Sequence, residues 1–230
     1  MNKTKGPDVR ANYVVDSFSA FLVENAHFTD QEEYPILEEF MFSKDIPNKI
    51  LPFGKAINSQ KDLSDTFICF YTPDAEFERI RKNPKKYLHF FKRTAGIIGF
   101  DFSVHTDMPI IKQKSQINDN LSLTYFYGNN QIPIIPNIRC GVDELLPEFL
   151  SAIPKKQIVA VGTHGFIKER RQKYEWYCFL KKIINTIDPS HIIVYGTLNG
   201  NIFDEFKLNV PITCFSPWIS ERWLEVRNAN

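Results

Sequence analysis

Gly96-Ile-Ile-Gly-Phe-Asp-Phe-Ser-Val-His-Thr-Asp-Met-Pro109 sets the pattern of the chain. Its first half is short, apolar and rich in β-branched and aromatic residues, as in a strand covered on both faces. Its second half turns polar, and Pro109 then opens a segment of helical period through Ile117 and Leu121 to Gly128-Asn-Asn130. Outward from it, the same order of apolar run, polar connection and helical period recurs. The other runs are Thr66 to Tyr71, Ile132 to Pro136, Gln157 to Gly162, His191 to Tyr195 and Pro211 to Phe215.

Helical segments fill the intervals. Ala75 to Arg93 reads as one helix, with Phe77, Ile80, Tyr87, Leu88 and Phe91 at helical spacing. Another runs from about Lys168 to Ile187 and stops at Asp188-Pro189, with shorter pieces over Val142 to Ala152, Ile202 to Lys207 and Trp218 to Val226. Repeated strand-then-helix order predicts right-handed crossovers and a mainly parallel sheet. The fold class is therefore α/β, with an irregular or incomplete TIM-barrel-like arrangement preferred and an open doubly wound sheet as the alternative. Residues 1–50 show no such rhythm and read as an N-terminal extension packed on a single α/β domain over 51–230.

With 230 residues, 43% of them hydrophobic and 14% aromatic, the chain is expected to bury a large core. The 28 Lys and Arg against 27 Asp and Glu give no global electrostatic pull toward nucleic acid or anionic lipid, so such a partner needs a local patch. Cys69, Cys140, Cys178 and Cys214 form no C-x-x-C pair, which argues against a zinc ribbon or disulfide framework and for reduced thiols. The charged start MNKTKGPDVRANYVV lacks the apolar core of a signal peptide, and no stretch has the roughly 20 apolar residues that span a bilayer. A cytoplasmic protein without a membrane partner is expected.

Functional residues in parallel α/β folds gather at the carboxyl ends of the strands. Asp101, Ser103, His105 and Asp107 alternate there and share one side if the backbone stays extended. Such a set suits a general base acting on water, or a divalent metal held by Asp101, His105 and Asp107. Asp107 has a second reading as the cap of the helix at Pro109. Asn137 and Arg139 follow the third run, Arg139 offering a bidentate anion contact. Gly162-Thr163-His164-Gly165 and Gly196-Thr197 are glycine-bearing connections whose N–H groups suit a phosphate-sized ligand, or are ordinary tight turns. Tyr195 ends the fifth run. Arg79, Arg81, Lys82, Lys85 and Lys86 form a basic cluster, as do Lys168, Arg170, Arg171 and Lys173. A solvated helix face, with Asp74, Glu76, Glu78 and Glu169 interspersed, explains both clusters more simply than a nucleic-acid backbone does.

The succession Ile50-Leu-Pro-Phe53, Phe77-Glu-Arg79, Pro84-Lys-Lys-Tyr87, Asp101-Phe-Ser103 with Asp107-Met-Pro109, Ile134-Ile-Pro-Asn137 and Ile193-Val-Tyr-Gly196 resembles a family of bacterial, phage and mobile-element proteins, domain of unknown function 4417. The likeness covers most of the chain from about residue 35 to residue 205. It implies provenance in a phage, prophage or plasmid and carries no activity with it. It places weight on Asp101, Ser103, Asp107, Asn137, Tyr195 and Gly196, which match. The family pattern usually has Pro before Asp-Phe-Ser, Tyr one residue after it, and Trp at a later position, where Phe100, His105 and Cys140 stand here. His105 is thereby a poor choice for a family-wide metal ligand.

These readings converge on a phosphorylated ligand, a nucleotide or nucleic-acid end, bound or hydrolysed at the strand ends. Asp101, Ser103, Asn137, Arg139 and Tyr195 are the catalytic candidates, with a divalent metal as the possible cofactor. The alternative is a non-catalytic accessory protein of a mobile element that binds a protein or nucleic acid.

Overall fold

The computed structural model describes residues 16, 18–163, 170–196 and 206–218. In chain order its regular elements are β1 (Lys49–Pro52), α1 (Phe53–Ala56), β2 (Thr66–Cys69), α2 (Glu78–Lys82), α3 (Leu88–Phe91), β3 (Gly96–Ile98), α4 (Ile110–Asn129), β4 (Ile134–Ile135), α5 (Leu146–Ser151), β5 (Ile158–Gly162), α6 (Arg170–Ile187), β6 (His191–Tyr195) and β7 (Ile212–Phe215). The six apolar runs are all strands, and β1 is an additional one.

Every strand pair is parallel. Strands β1 to β4 form one sheet in chain order, and β5 to β7 form a second. A bridge between Asn137 and Ala160 joins them: the Ile138 N–H donates to the Ala160 carbonyl, and the Ala160 N–H to the Pro136 carbonyl, both at 2.8 Å. This succession lacks the reversal of strand order that defines a doubly wound sheet. Among the described residues β1 and β7 do not pair, so the strands form no closed barrel.

Alternation along the strands separates two apolar compartments. Ile68, Phe70, Ile97, Ile134, Val159, Val161, Ile192 and Val194 face a large cluster shared with the helices. Phe67, Cys69, Ile98, Ile135, Ile158, Ala160, Ile193 and Tyr195 make a second cluster, with Ile50 and Phe215 packed against it. All seven strands contribute to that second cluster and the α-helices do not. Both faces are buried along β2 to β6, which is why those strands read as continuous apolar runs rather than as alternating ones.

One expectation is corrected. The single helix over Ala75 to Arg93 is broken into 3-10 turns at Asp74–Glu76 and Pro84–Tyr87 and the short helices α2 and α3. Pro84 lacks an N–H and crowds Asn83 out of the helical region, to φ −149° and ψ 71°. The irregular segment before β1 packs, in its described part, on the helices and strands that follow. Leu22, Ala26, Tyr34, Leu37, Met41 and Phe42 belong to the large cluster, and the Ser43 N–H donates to the Ile134 carbonyl at the edge of β4.

Candidate functional site

Beyond β3 the chain stays extended but changes partners. The Gly99 N–H makes a last ladder bond to Ile135. A side chain at Gly99 would put Cβ 2.7 Å from the Asn137 backbone nitrogen, so only glycine permits this approach. Two polar residues one turn apart on α4 then stand in for a strand. Thr124 Oγ1 accepts the Phe100 N–H, while the Asn120 amide accepts the Phe102 N–H at 2.8 Å and donates to its carbonyl at 3.1 Å. Phe100 and Phe102 bury into the core, which leaves Asp101 facing the strand-end side.

Asp101 is 6% exposed. Its Oδ1 accepts the Asn137 amide at 2.7 Å and its Oδ2 accepts Arg139 Nη1 at 2.9 Å. The Asn137 amide is fixed from both ends, because its oxygen accepts the Tyr71 hydroxyl at 2.8 Å and its nitrogen also reaches the Phe100 carbonyl. Burial pushes the Asp101 carboxyl up to about 6, against the opposing pull of Arg139 and Asn137, and the nearby Asp74 charge adds to the rise. The same burial holds the Tyr71 hydroxyl well above its usual range, so it stays a neutral donor.

Two cavities meet at this network. One, of about 560 Å³, is lined by Asp101, Asn137 and Arg139 with His105, Asp107, Gln172, Glu175 and Trp176. The other, of about 540 Å³, is lined by Asp101, Ser103 and Arg139 with Lys55, Tyr71, Thr72, Glu76, Tyr195 and Trp218. The second mouth draws on the carboxyl ends of most strands, from Pro52 of β1 to Pro217 beyond β7. Asp101, Arg139 and Gly162 belong to both walls.

Asp101, Asn137, Arg139 and Tyr195 thus come together, whereas the alternating set does not stay on one surface. The extended backbone ends in a turn closed by the Met108 N–H on the His105 carbonyl, and Ser103 faces the second cavity while His105 and Asp107 sit exposed on the first. Asp107 is not a cap: the first turn of α4 has no side-chain cap bond. Among the described residues no three His, Cys, Asp or Glu side chains form a metal-holding group, so Asp101, His105 and Asp107 are not assembled as one. Ser103 is held by Asp74, which accepts both its N–H at 3.2 Å and its hydroxyl at 3.0 Å.

The glycine connections are used differently from an anion cradle where they are described. The Thr163 N–H donates to the Tyr195 carbonyl and the Gly196 N–H to Phe215, so both are taken up by the sheet. Gly162 gives room to a ring, since a Cβ there would lie 2.7 Å from Tyr71 Cε1. His164, Gly165 and Thr197 lie outside the described residues.

Sequence reasoning missed Tyr71, Asp74, Asn120 and Thr124. Asn120 and Thr124 did carry a signal, polar residues four apart and so on one face of a helix, flanked by Leu121, Leu123 and Tyr125.

A family model described as "Domain of unknown function (DUF4417)" matches residues 29–213. The chain is 22% identical over 129 residues to the protein named "Gene 1 protein" of Mycobacterium phage L5, a match that covers 56% of each protein. The chain thus spans about half the length of that relative. No solved structure matches. No helix among the described residues is long and apolar enough to cross a membrane.

Proposed function

The chain belongs to the DUF4417 family, and from that premise we propose that it is a phage protein binding a phosphorylated ligand, a nucleotide or nucleic-acid end, at the carboxyl ends of its strands. The observation that carries this reading is the buried Asp101 carboxyl, set between Asn137 and Arg139 and raised to about 6 where two cavities meet. A group that changes protonation near neutral pH is suited to take a proton from an attacking water, and a guanidinium beside it to hold developing negative charge. The second cavity adds the aromatic surfaces of Tyr71, Tyr195 and Trp218 and the ammonium of Lys55, a combination that fits a base and a phosphate.

The likeness to a phage protein supports the provenance. Chain-order parallel strands around one inner cluster support an incomplete barrel, in which residues before about 50 pack on a single domain. Four cysteines without a disulfide fit a reducing cytoplasm.

The test is calorimetric titration of the purified protein with nucleoside mono-, di- and triphosphates and 5′-phosphorylated oligonucleotides. Binding is expected to weaken by about tenfold or more in Arg139→Met, the worth of one charge-assisted contact. A protein that neither binds nor hydrolyses any of them sinks the reading. A non-catalytic accessory role is favoured by one observation, the exposed Ile110 and Ile111 at the start of α4. That role predicts a protein partner whose binding ignores Asp101→Ala.

A further inference from the structure

We infer that the surface carried by residues 79–93 is a second, separate site that takes the phosphate backbone of a nucleic acid. This stretch holds seven of the 28 Lys and Arg of the chain and none of its 27 Asp and Glu, although the whole molecule is nearly neutral. Arg79, Lys82, Lys85, Lys86, Lys92 and Arg93 are all exposed. Among the described residues only Arg81 of the seven is ion-paired, to Glu78 and Asp119.

Two of the three nearby acids are engaged, and the third stands at the second cavity. Asp74 holds Ser103, Glu76 lines the second cavity, and Glu78 is the partner of Arg81. The positive charge is therefore not neutralised locally, which is the condition for strong counterion condensation on an approaching polyphosphate.

The platform is also rigid. Ile80, Pro84, Tyr87 and Phe91 bury on the inner side of the stretch, and the Tyr87 and Phe91 rings pack on Phe53 at centroid distances of 5.6 and 6.0 Å. The break at Pro84 that divides α2 from α3 spreads the cations over two short helices and the turn between them. Little order is then lost on binding beyond the lysine side chains. No apolar side chain within the stretch is exposed, so it offers nothing to insert into a bilayer, and a nucleic acid is the fitting polyanion. Arg79 lies over the ring of Phe53, two residues from Lys55 at the second cavity, so the face begins beside that mouth. The inference goes beyond the cavity reading and stands whether or not the cavity holds a nucleotide.

Fluorescence anisotropy of the full chain with labelled single-stranded and duplex DNA tests it, beside vesicles of phosphatidylcholine and phosphatidylserine. Six phosphate contacts predict a log–log salt slope of about −5 on a duplex, or roughly a thousandfold weaker binding from about 50 to about 200 mM salt. The variant Lys82→Gln/Lys85→Gln/Lys86→Gln should flatten that slope by about 2.7. The control Lys44→Gln/Lys61→Gln/Lys155→Gln, equal in charge but elsewhere on the surface, should leave it unchanged. Tighter binding to duplex than to single strands at equal salt identifies a duplex partner, and the reverse a single strand. Salt-independent binding, no binding, equal losses in both variants, or capture of vesicles but not DNA would each overturn the proposal.

Discussion

Tyr71 and Tyr195 stack with their ring centroids 4.8 Å apart and their planes 14° from parallel, although they stand at the ends of strands that share no ladder. Tyr71 comes from the end of β2 in the first sheet and Tyr195 from the end of β6 in the second. The pair spans the two sheets at the mouth, and Gly162 supplies the space for it.

Gly162→Ala is therefore expected to displace the Tyr71 ring and cost about 1–3 kcal/mol, as overpacking does. Urea denaturation gives the cost, and near-ultraviolet circular dichroism reports the stacked rings. An unchanged midpoint with an unchanged spectrum would show that the ring is not held there.

Tyr71→Phe keeps the stack but removes the hydroxyl that fixes the Asn137 amide. A loss of about 0.5–1.5 kcal/mol is expected from one neutral hydrogen bond. In combination with Asn137→Ala the two losses should fall short of additivity, since they delete the same bond. Strict additivity in the double-mutant cycle would argue that the contact contributes nothing.

Asp101 makes stability depend on pH in a definite direction. Its carboxyl titrates at about 6 in the folded state against 3.8 for an ordinary aspartate, so below about pH 4 both states hold the proton. As pH rises from about 4 to about 6 the unfolded chain ionises first, and the wild type loses stability on the order of 3 kcal/mol relative to Asp101→Asn. Thermal or urea melts of both proteins across that range measure the difference. A difference that stays flat, or runs the other way, rejects the raised value.

Arg139→Met leaves the Asp101 charge without its ion partner, 7% exposed at the side chain. About 3–5 kcal/mol should be lost at pH 7, the cost of a broken buried pair. Less should be lost at pH 5, where Asp101 can take up a proton. An equal loss at both pH values would contradict this account.

Native alkylation should sort the thiols. Cys214 is exposed, whereas Cys69 and Cys140 are pushed up to about 12 by burial. Iodoacetamide at mildly alkaline pH should mark Cys214 and spare Cys69 until the protein unfolds, read by peptide mass spectrometry. Early labelling of Cys69 would mean that the inner compartment opens readily.

Much of this fold is legible in the chain because buried parallel strands announce themselves as apolar runs. Strand β1 escapes because only Ile50 and Leu51 are apolar before Pro52 ends it. The helix drawn through Ala75 to Arg93 failed on Pro84, whose local effect outweighs good periodicity on either side. Asp101, Asn137, Arg139 and Tyr195, which the structure brings close together, could be singled out because they stand at strand ends. Their partners were not, since Tyr71 counts as apolar in a run, and Asp74 and Asn120 act on residues 29 and 18 positions away.

The wall between the two cavities is an ion pair and not an inert partition. An anion seated on either side would raise the affinity of Asp101 for its proton, and that proton in turn would favour an anion on the other side. Any occupants of the two chambers would thus be linked through one shared hydrogen ion, with equal and reciprocal effect and without touching.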